Sequence, residues 1–300
     1  MSLRPSTALV FLSLFLLKSS SAAEPGCADR VLQGVCFQDT PDTIFFWNAC
    51  GVHEIESKLD SPLVTDRPDF TEASSTVGRG VSQLEIGYTY AYDNTAGQSV
   101  RTQTFGEFLV RQGIFADWLE LRIGLTPAEE RTRTGGNSNS DSGLSDLYLG
   151  FKAALTPQEG LLPEMALIVQ MNTPTGADAF TSNRVEPGAN LIYGWEISDF
   201  LSTAGSTQGN LRHEDNGNEY WEIAQSWTVA YSLSEQVGAY TEWYGLFPSG
   251  ADAERTEHYF NGGFTYLLND HLQLDLRSGV GLNNAADDYF IGAGMSIRIP

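Results

Sequence analysis

Nowhere in its 300 residues does the chain offer the roughly 18 consecutive apolar residues that a membrane-spanning helix requires. The longest greasy stretch, Ala8 to Leu17, is too short, and mean hydropathy is only -0.20. A helical membrane protein is therefore excluded. A membrane β-barrel is not, because its strands alternate lipid-facing and lumen-facing residues and the membrane signal averages away. Basic residues are also scarce, 17 Lys and Arg against 38 Asp and Glu, for a formal charge of -21. That balance predicts no nucleic-acid partner and disfavours anionic headgroups.

Cysteine is limited to Cys27, Cys36 and Cys50, all ahead of the first predicted strand. Three residues allow one disulfide with one thiol remaining, and the pairing stays open. They do not make a zinc site, which needs four ligands, since the nearby His53 matches no familiar spacing. No metal or cofactor is expected. The oxygen-rich stretch Asn137 to Asp141 has no fixed ligand spacing for calcium and reads as a solvated loop.

The N-terminus carries a secretory pattern over residues 1–23: Arg4, then the apolar run, then Ser19-Ser20-Ser21-Ala22-Ala23. Its removal takes away Arg4 and Lys18 and moves the charge from -21 to -23. Residues 24–80 hold no sustained period, and Pro68 among charges argues against a central strand. This Cys-bearing segment is expected to be periplasmic or to plug a barrel formed by residues 81–300.

The barrel is read from Val81 to Tyr92. Leu84, Ile86, Tyr88, Tyr90 and Tyr92 share one parity, and Gln83, Glu85, Gly87, Thr89 and Ala91 the other. Apolar residues ending in tyrosines suit a strand passing from hydrocarbon to headgroups. The pattern recurs at residues 104–115, 118–125, 144–155, 164–172, 186–197, 200–207, 219–231, 236–247, 256–267, 272–282 and 289–299. The expected fold is all-β, a transmembrane antiparallel up-and-down β-barrel of about twelve strands. Turns after even strands are short and most after odd strands long, Pro127 to Gly143 longest, which is the asymmetry of periplasmic turns and outer loops.

Short motifs add a resemblance. Thr65-Asp66-Arg67-Pro68-Asp69-Phe70-Thr71-Glu72, then Gly143-Leu144-Ser145-Asp146-Leu147, Lys152, Asn172-Thr173-Pro174-Thr175-Gly176 and Leu272-Gln273-Leu274-Asp275 resemble the outer-membrane transporter family named "MetA-pathway of phenol degradation". The likeness covers residues 65–300 and implies an outer-membrane barrel passing small hydrophobic or aromatic compounds. Ile297 to Pro300 departs from it, lacking a terminal aromatic residue.

Lumen parity collects Glu85, Glu107, Arg111, Glu120, Arg122, Asp146, Lys152, Glu196, Glu222, Glu242, Asp275 and Arg277 as the expected transport path. Opposed acids and bases in a pore set a transverse field and ion preference, or pair with one another to fill it. The expected partners are outer-membrane lipid and a small solute. Two other classes remain: an adhesive or structural barrel with a closed lumen, and a lipid hydrolase using a Ser–His pair. For the latter His258 is the only histidine on a predicted lipid face, with Ser226 and Ser278 on strands of unknown alignment to it. No enzyme is expected.

Overall fold

The computed structural model describes residues 42–45, 61–95, 97–214 and 216–299. The expected signal peptide and the three cysteines lie outside these residues, as does most of the 24–80 segment. Fourteen strands occur among the described residues. They are β1 (Ser82–Thr95), β2 (Gln98–Gly113), β3 (Leu119–Leu125), β4 (Pro127–Thr134), β5 (Asn137–Leu144), β6 (Leu147–Thr156) and β7 (Glu164–Thr173). Then come β8 (Glu186–Ser198), β9 (Leu201–His213), β10 (Glu219–Ser232), β11 (Val237–Ser249), β12 (Glu257–Asn269), β13 (Leu272–Gly281) and β14 (Tyr289–Ile299).

All pairings are antiparallel, and β14 closes onto β1 from Ser82↔Ile299 to Tyr92↔Tyr289. Twelve strands form the ring. The other two, β4 and β5, extend it past one rim. Phe108–Gly113 of β2 pairs with β3 in the wall, while Gln98–Thr104 of the same strand pairs with β4 beyond it. The loop expected over Pro127 to Gly143 is thus a hairpin turning at Gly135-Gly136, where Gly135 takes φ 59°. A two-residue Gly-Gly turn needs such angles. Both faces of this hairpin are wet, so its strands carry no hydrophobic alternation by which to be recognised. The weakest sequence strand, 200–207, is in fact part of the thirteen-residue β9.

The burial pattern is the reverse of a water-soluble protein's. Arg111, Arg122, Lys152, Glu85, Glu120 and Asn190 are almost wholly buried, while Phe151, Val169, Phe264, Leu276 and Ile291 are each more than half exposed. Apolar side chains point to lipid and charged ones to the lumen, as a transmembrane barrel requires. Tyrosine rings gather at one end of the lipid face, where Tyr90 and Tyr92 pack against Tyr289. Trp195, Tyr193 and Trp227 form a second outer cluster.

One irregularity aims a side chain inward. Register shifts by a residue between Glu85 and Gly87 against β2, where Gly106 (φ 78°) and Glu107 (φ 35°) form a bulge. A bulge redirects the strand and its side chains. Here it turns the Glu107 carboxylate towards Arg67 of the N-terminal segment.

Candidate functional site: a segment bonded across the lumen

Residues 61–80 run through the interior and bond to nearly every strand of the ring. Asp66 is the hub. Its Oδ1 accepts from Lys152 Nζ at 2.7 Å and from the Ala73 amide at 2.9 Å. Its Oδ2 takes Arg122 Nη1 and lies 3.3 Å from Arg111 Nε. The Asp66 amide itself donates to Glu85 Oε1 at 3.1 Å. β2, β3 and β6 are thereby gathered around one carboxylate, and β1 is held by the amide of the same residue.

Around this hub the wall pairs with itself. Arg111 donates to Glu120 through Nε (2.9 Å) and Nη2 (3.0 Å), and to Glu85 through Nη1 (3.1 Å). Arg122 reaches Glu120 at 3.1 Å and the Tyr148 hydroxyl at 3.2 Å, and its Nη2 bonds Glu72 of the segment. Buried charges persist only when paired and hydrogen-bonded, because desolvating each one costs several kcal/mol. Three wall cations meet two wall carboxylates, Glu85 and Glu120, so the wall cluster keeps one positive charge, which the segment meets with Asp66 against all three cations and Glu72 against Arg122.

The following residues reach the remaining strands. Arg67 donates to Asp275 of β13 (3.3 Å) and pairs with Glu107 of β2. Thr71 gives its amide (2.7 Å) and hydroxyl (2.7 Å) to Glu242 of β11, and its hydroxyl lies 2.6 Å from Ser226 Oγ on β10. Glu72 accepts from Asn190 of β8, Ser74 donates to Glu164 of β7, and Arg277 donates to the Pro68 carbonyl. Phe70 stacks on Tyr244 with centroids 4.4 Å apart, and Tyr244 stacks on Tyr259.

Nine of the twelve expected lumen residues bond or pair with this segment or with a side chain that does: Glu85, Glu107, Arg111, Glu120, Arg122, Lys152, Glu242, Asp275 and Arg277. Glu222 stands apart, pairing with Arg212 at 3.2 Å higher in the lumen. Asp146 falls in the break between β5 and β6. Its carboxylate accepts the amides of Thr175 (3.1 Å), Gly176 (2.9 Å) and Ser182 (3.4 Å), holding the 174–185 loop. Glu196 is exposed two residues from the end of β8, past the rim, where its backbone bonds Gln158. Parity finds a wall's inner face but not its edges. Asp66, Thr71 and Glu72 were missed as contact residues, although a Pro-containing stretch dense in charge beside an acid-and-base lumen was the available signal.

On the long-loop side of the segment lies a cavity of about 660 Å³. Arg122, Glu72 and Tyr148 line its inner part, Glu222, Arg212 and Glu186 its flank, and Phe180 of the 174–185 loop its lid. On the short-turn side a smaller space of about 290 Å³ is bounded by Val64, Val77, Gln83 and Arg298. Residues of the segment border both.

Two outer loops are stapled together. The Glu214 carboxylate accepts the amides of Asp252 (2.9 Å), Ala253 (2.7 Å) and Glu254 (3.3 Å) from the 250–256 loop. These donors, Ala253 foremost, pull its pKa down to about 2.

The residues weighed for lipid hydrolysis do not converge. The His258 ring stacks on Trp243 on the outer face, whereas Ser226 points into the lumen, bonding Thr71 and Ser206. Ser278 is paired with Gly262, four residues along β12 from His258. At about 3.3 Å per residue that is roughly 13 Å, beyond any proton transfer.

A family model described as "Putative MetA-pathway of phenol degradation" matches residues 65–299. Among solved structures, the chain is similar to the COG4313 outer membrane channel from Pseudomonas putida F1. Identity is 13%, coverage is 78% of this chain and 99% of that one, and the TM-score is 0.60. It is also similar to the transport unit of the autotransporter AIDA-I from Escherichia coli, at 10% identity, 73% and 89% coverage and a TM-score of 0.50. At such identities the likeness is one of fold. No curated protein sequence matches.

Proposed function

The chain belongs to the MetA-pathway family and is an outer-membrane β-barrel, and on that footing we propose that it is a solute channel gated from within by residues 61–80. The observation that carries this reading is the placing of Asp66. It closes a charge cluster that the wall leaves unbalanced, so segment and wall are complementary parts of one interior. Passage needs the segment to move or to loosen.

The mechanism is non-enzymatic. A solute enters between the long loops into the 660 Å³ cavity, a size suited to a small organic molecule. It meets Arg122 and Glu72 at the floor, and displacement of the segment opens the way to the short-turn end. The family resemblance suggests a hydrophobic or aromatic solute, and Tyr148, Tyr220 and Phe180 around the cavity accord with an aromatic body.

The test is single-channel conductance of the refolded mature protein in a planar bilayer, with and without residues 24–80. Conductance that rises on truncation supports the gate. Silence in both forms, with a heat-modifiable folded band on a gel, would favour a closed structural barrel instead.

A further inference from the structure

The groups around Asp66 form a receptor for a carboxylate. Lys152 Nζ, Arg122 Nη1 and Arg111 Nε converge on its two oxygens from three strands, and the segment's own Ala73 amide adds a fourth bond. All three cations belong to the wall and are almost wholly buried. The ligand they hold belongs to the segment. When the segment withdraws, the wall keeps three cations against Glu85 and Glu120 in an interior that tolerates unpaired charge poorly.

The solute cavity leads to this point. Arg122 lines it, and the same guanidinium touches Asp66 through Nη1 and Glu72 through Nη2. Tyr148 lies beside Arg122, with the guanidinium carbon 5.9 Å from the ring centroid. An aromatic acid arriving from the cavity would set its ring among Tyr148 and Phe180 and its carboxylate against Arg122. Charge-assisted bonds from arginine suit a planar carboxylate in such a setting.

We propose that the position of the Asp66 carboxylate is the channel's binding site for a solute carboxylate, and that small aromatic acids compete with the segment for it. The inference rests on the gated-channel reading and names its substrate class. Asp66 is then a built-in stand-in for the solute. A neutral molecule of the same shape gains nothing from the three cations and does not open the gate.

The experiment uses the full-length mature protein and Asp66→Asn, which keeps the side-chain size and removes the charge. Benzoate is the probe and benzyl alcohol its neutral control. Binding is measured by ligand-observed NMR in micelles, and conductance in planar bilayers. Benzoate should bind Asp66→Asn about tenfold or more tightly than it binds the wild type, where Asp66 competes. It should shift the reversal potential or block current in Asp66→Asn, while benzyl alcohol does neither.

Asp66→Asn with Lys152→Met leaves two wall cations against Glu85 and Glu120 of the wall and Glu72 of the segment, and should lose benzoate binding by about tenfold or more. Conductance in Asp66→Asn without preferential benzoate binding would overturn the carboxylate site and leave the gate standing. Benzoate binding that competes with Asp66 in a protein that never conducts would support the site and refute the gate. Equal binding of benzoate and benzyl alcohol in every form would overturn the proposal.

Discussion

Gly87 and Gly294 face each other across the seam where β1 meets β14, and the Arg67 guanidinium occupies the space that a side chain on either would fill. A Cβ on Gly87 would overlap Arg67 Nη1, and one on Gly294 would overlap Nε. The two glycines are thus a niche in the wall cut to the width of one arginine. Gly87→Ala should drive Arg67 from Glu107 and Asp275, at a cost of about 1–3 kcal/mol typical of overpacking. The readout is faster hydrogen exchange across residues 61–80 with the barrel strands unchanged. Unaltered protection would refute the niche.

Removing the arginine attacks the same contact from the other side. Arg67→Met leaves Asp275, whose side chain is fully buried, without its cation, while Glu107 keeps Arg277 at 3.9 Å. Breaking a buried pair in this way costs roughly 3–5 kcal/mol. Segment protection should fall sharply, and Arg67→Lys should restore it only in part, because a point charge cannot span both carboxylates.

The lipid face gives a depth-dependent expectation. Leu276 on β13 is exposed, with Phe264 and Ala293 as its cross-strand neighbours at mid-wall. Leu276→Arg should destabilise the barrel by roughly 2–4 kcal/mol in reversible unfolding from a bilayer, and a substitution nearer the rim by much less. Equal costs at both depths would contradict the assignment of this face to lipid.

Acid should test the loop staple. The folded pKa of Glu214, about 2, lies below the ordinary carboxylate range, so its contribution is fully present above the unfolded value near 4.5. It is lost as pH falls through the folded value. Limited proteolysis of the 214–218 and 250–256 loops at pH 5.5 should therefore resemble that at pH 7 in the wild type, and cutting should quicken as the pH is lowered from 4.5 towards 2. In Glu214→Gln both loops should be cut faster at either pH.

The β4–β5 hairpin stands outside the twelve-strand ring. Deleting residues 129–142 and joining the stubs should leave the heat-modifiable band in place, since shortening a surface excursion changes closure entropy by only about 0.6 kcal/mol per halving. Loss of the folded band would mean that the hairpin is needed to assemble the wall.

Period two made most of the ring legible. Leu84, Ile86 and Tyr88 alternate with Gln83, Glu85 and Gly87 because one side of that wall is hydrocarbon and the other polar. Where both sides are wet, as at Arg131 and Asn139, alternation has no cause and the sequence of the β4–β5 hairpin reads as loop. The same limit explains Asp146 and Glu196, whose parity is that of the lumen but whose depth is that of the rim. Strand period carries no depth. The contacts of Asp66 and Thr71 were hidden for a different reason: the chain there is irregular, and partners of the segment lie more than 200 positions away, as Asp275 does from Arg67.

Thr71 and Glu72 are consecutive residues, yet they grip opposite sides of the ring. Thr71 holds Glu242 on β11 and Glu72 holds Arg122 on β3, strands six places apart whichever way the twelve are counted. A link so short between diametrically opposed walls acts as a tie-rod. It fixes the cross-section of the tube as well as occupying it. On the gated-channel proposal, withdrawal of the segment would release the barrel's shape, and the opening would be set partly by how far the wall relaxes. Spin labels on β3 and β11 would report that relaxation directly, and a distance unchanged between gated and truncated forms would assign the wall a rigidity of its own.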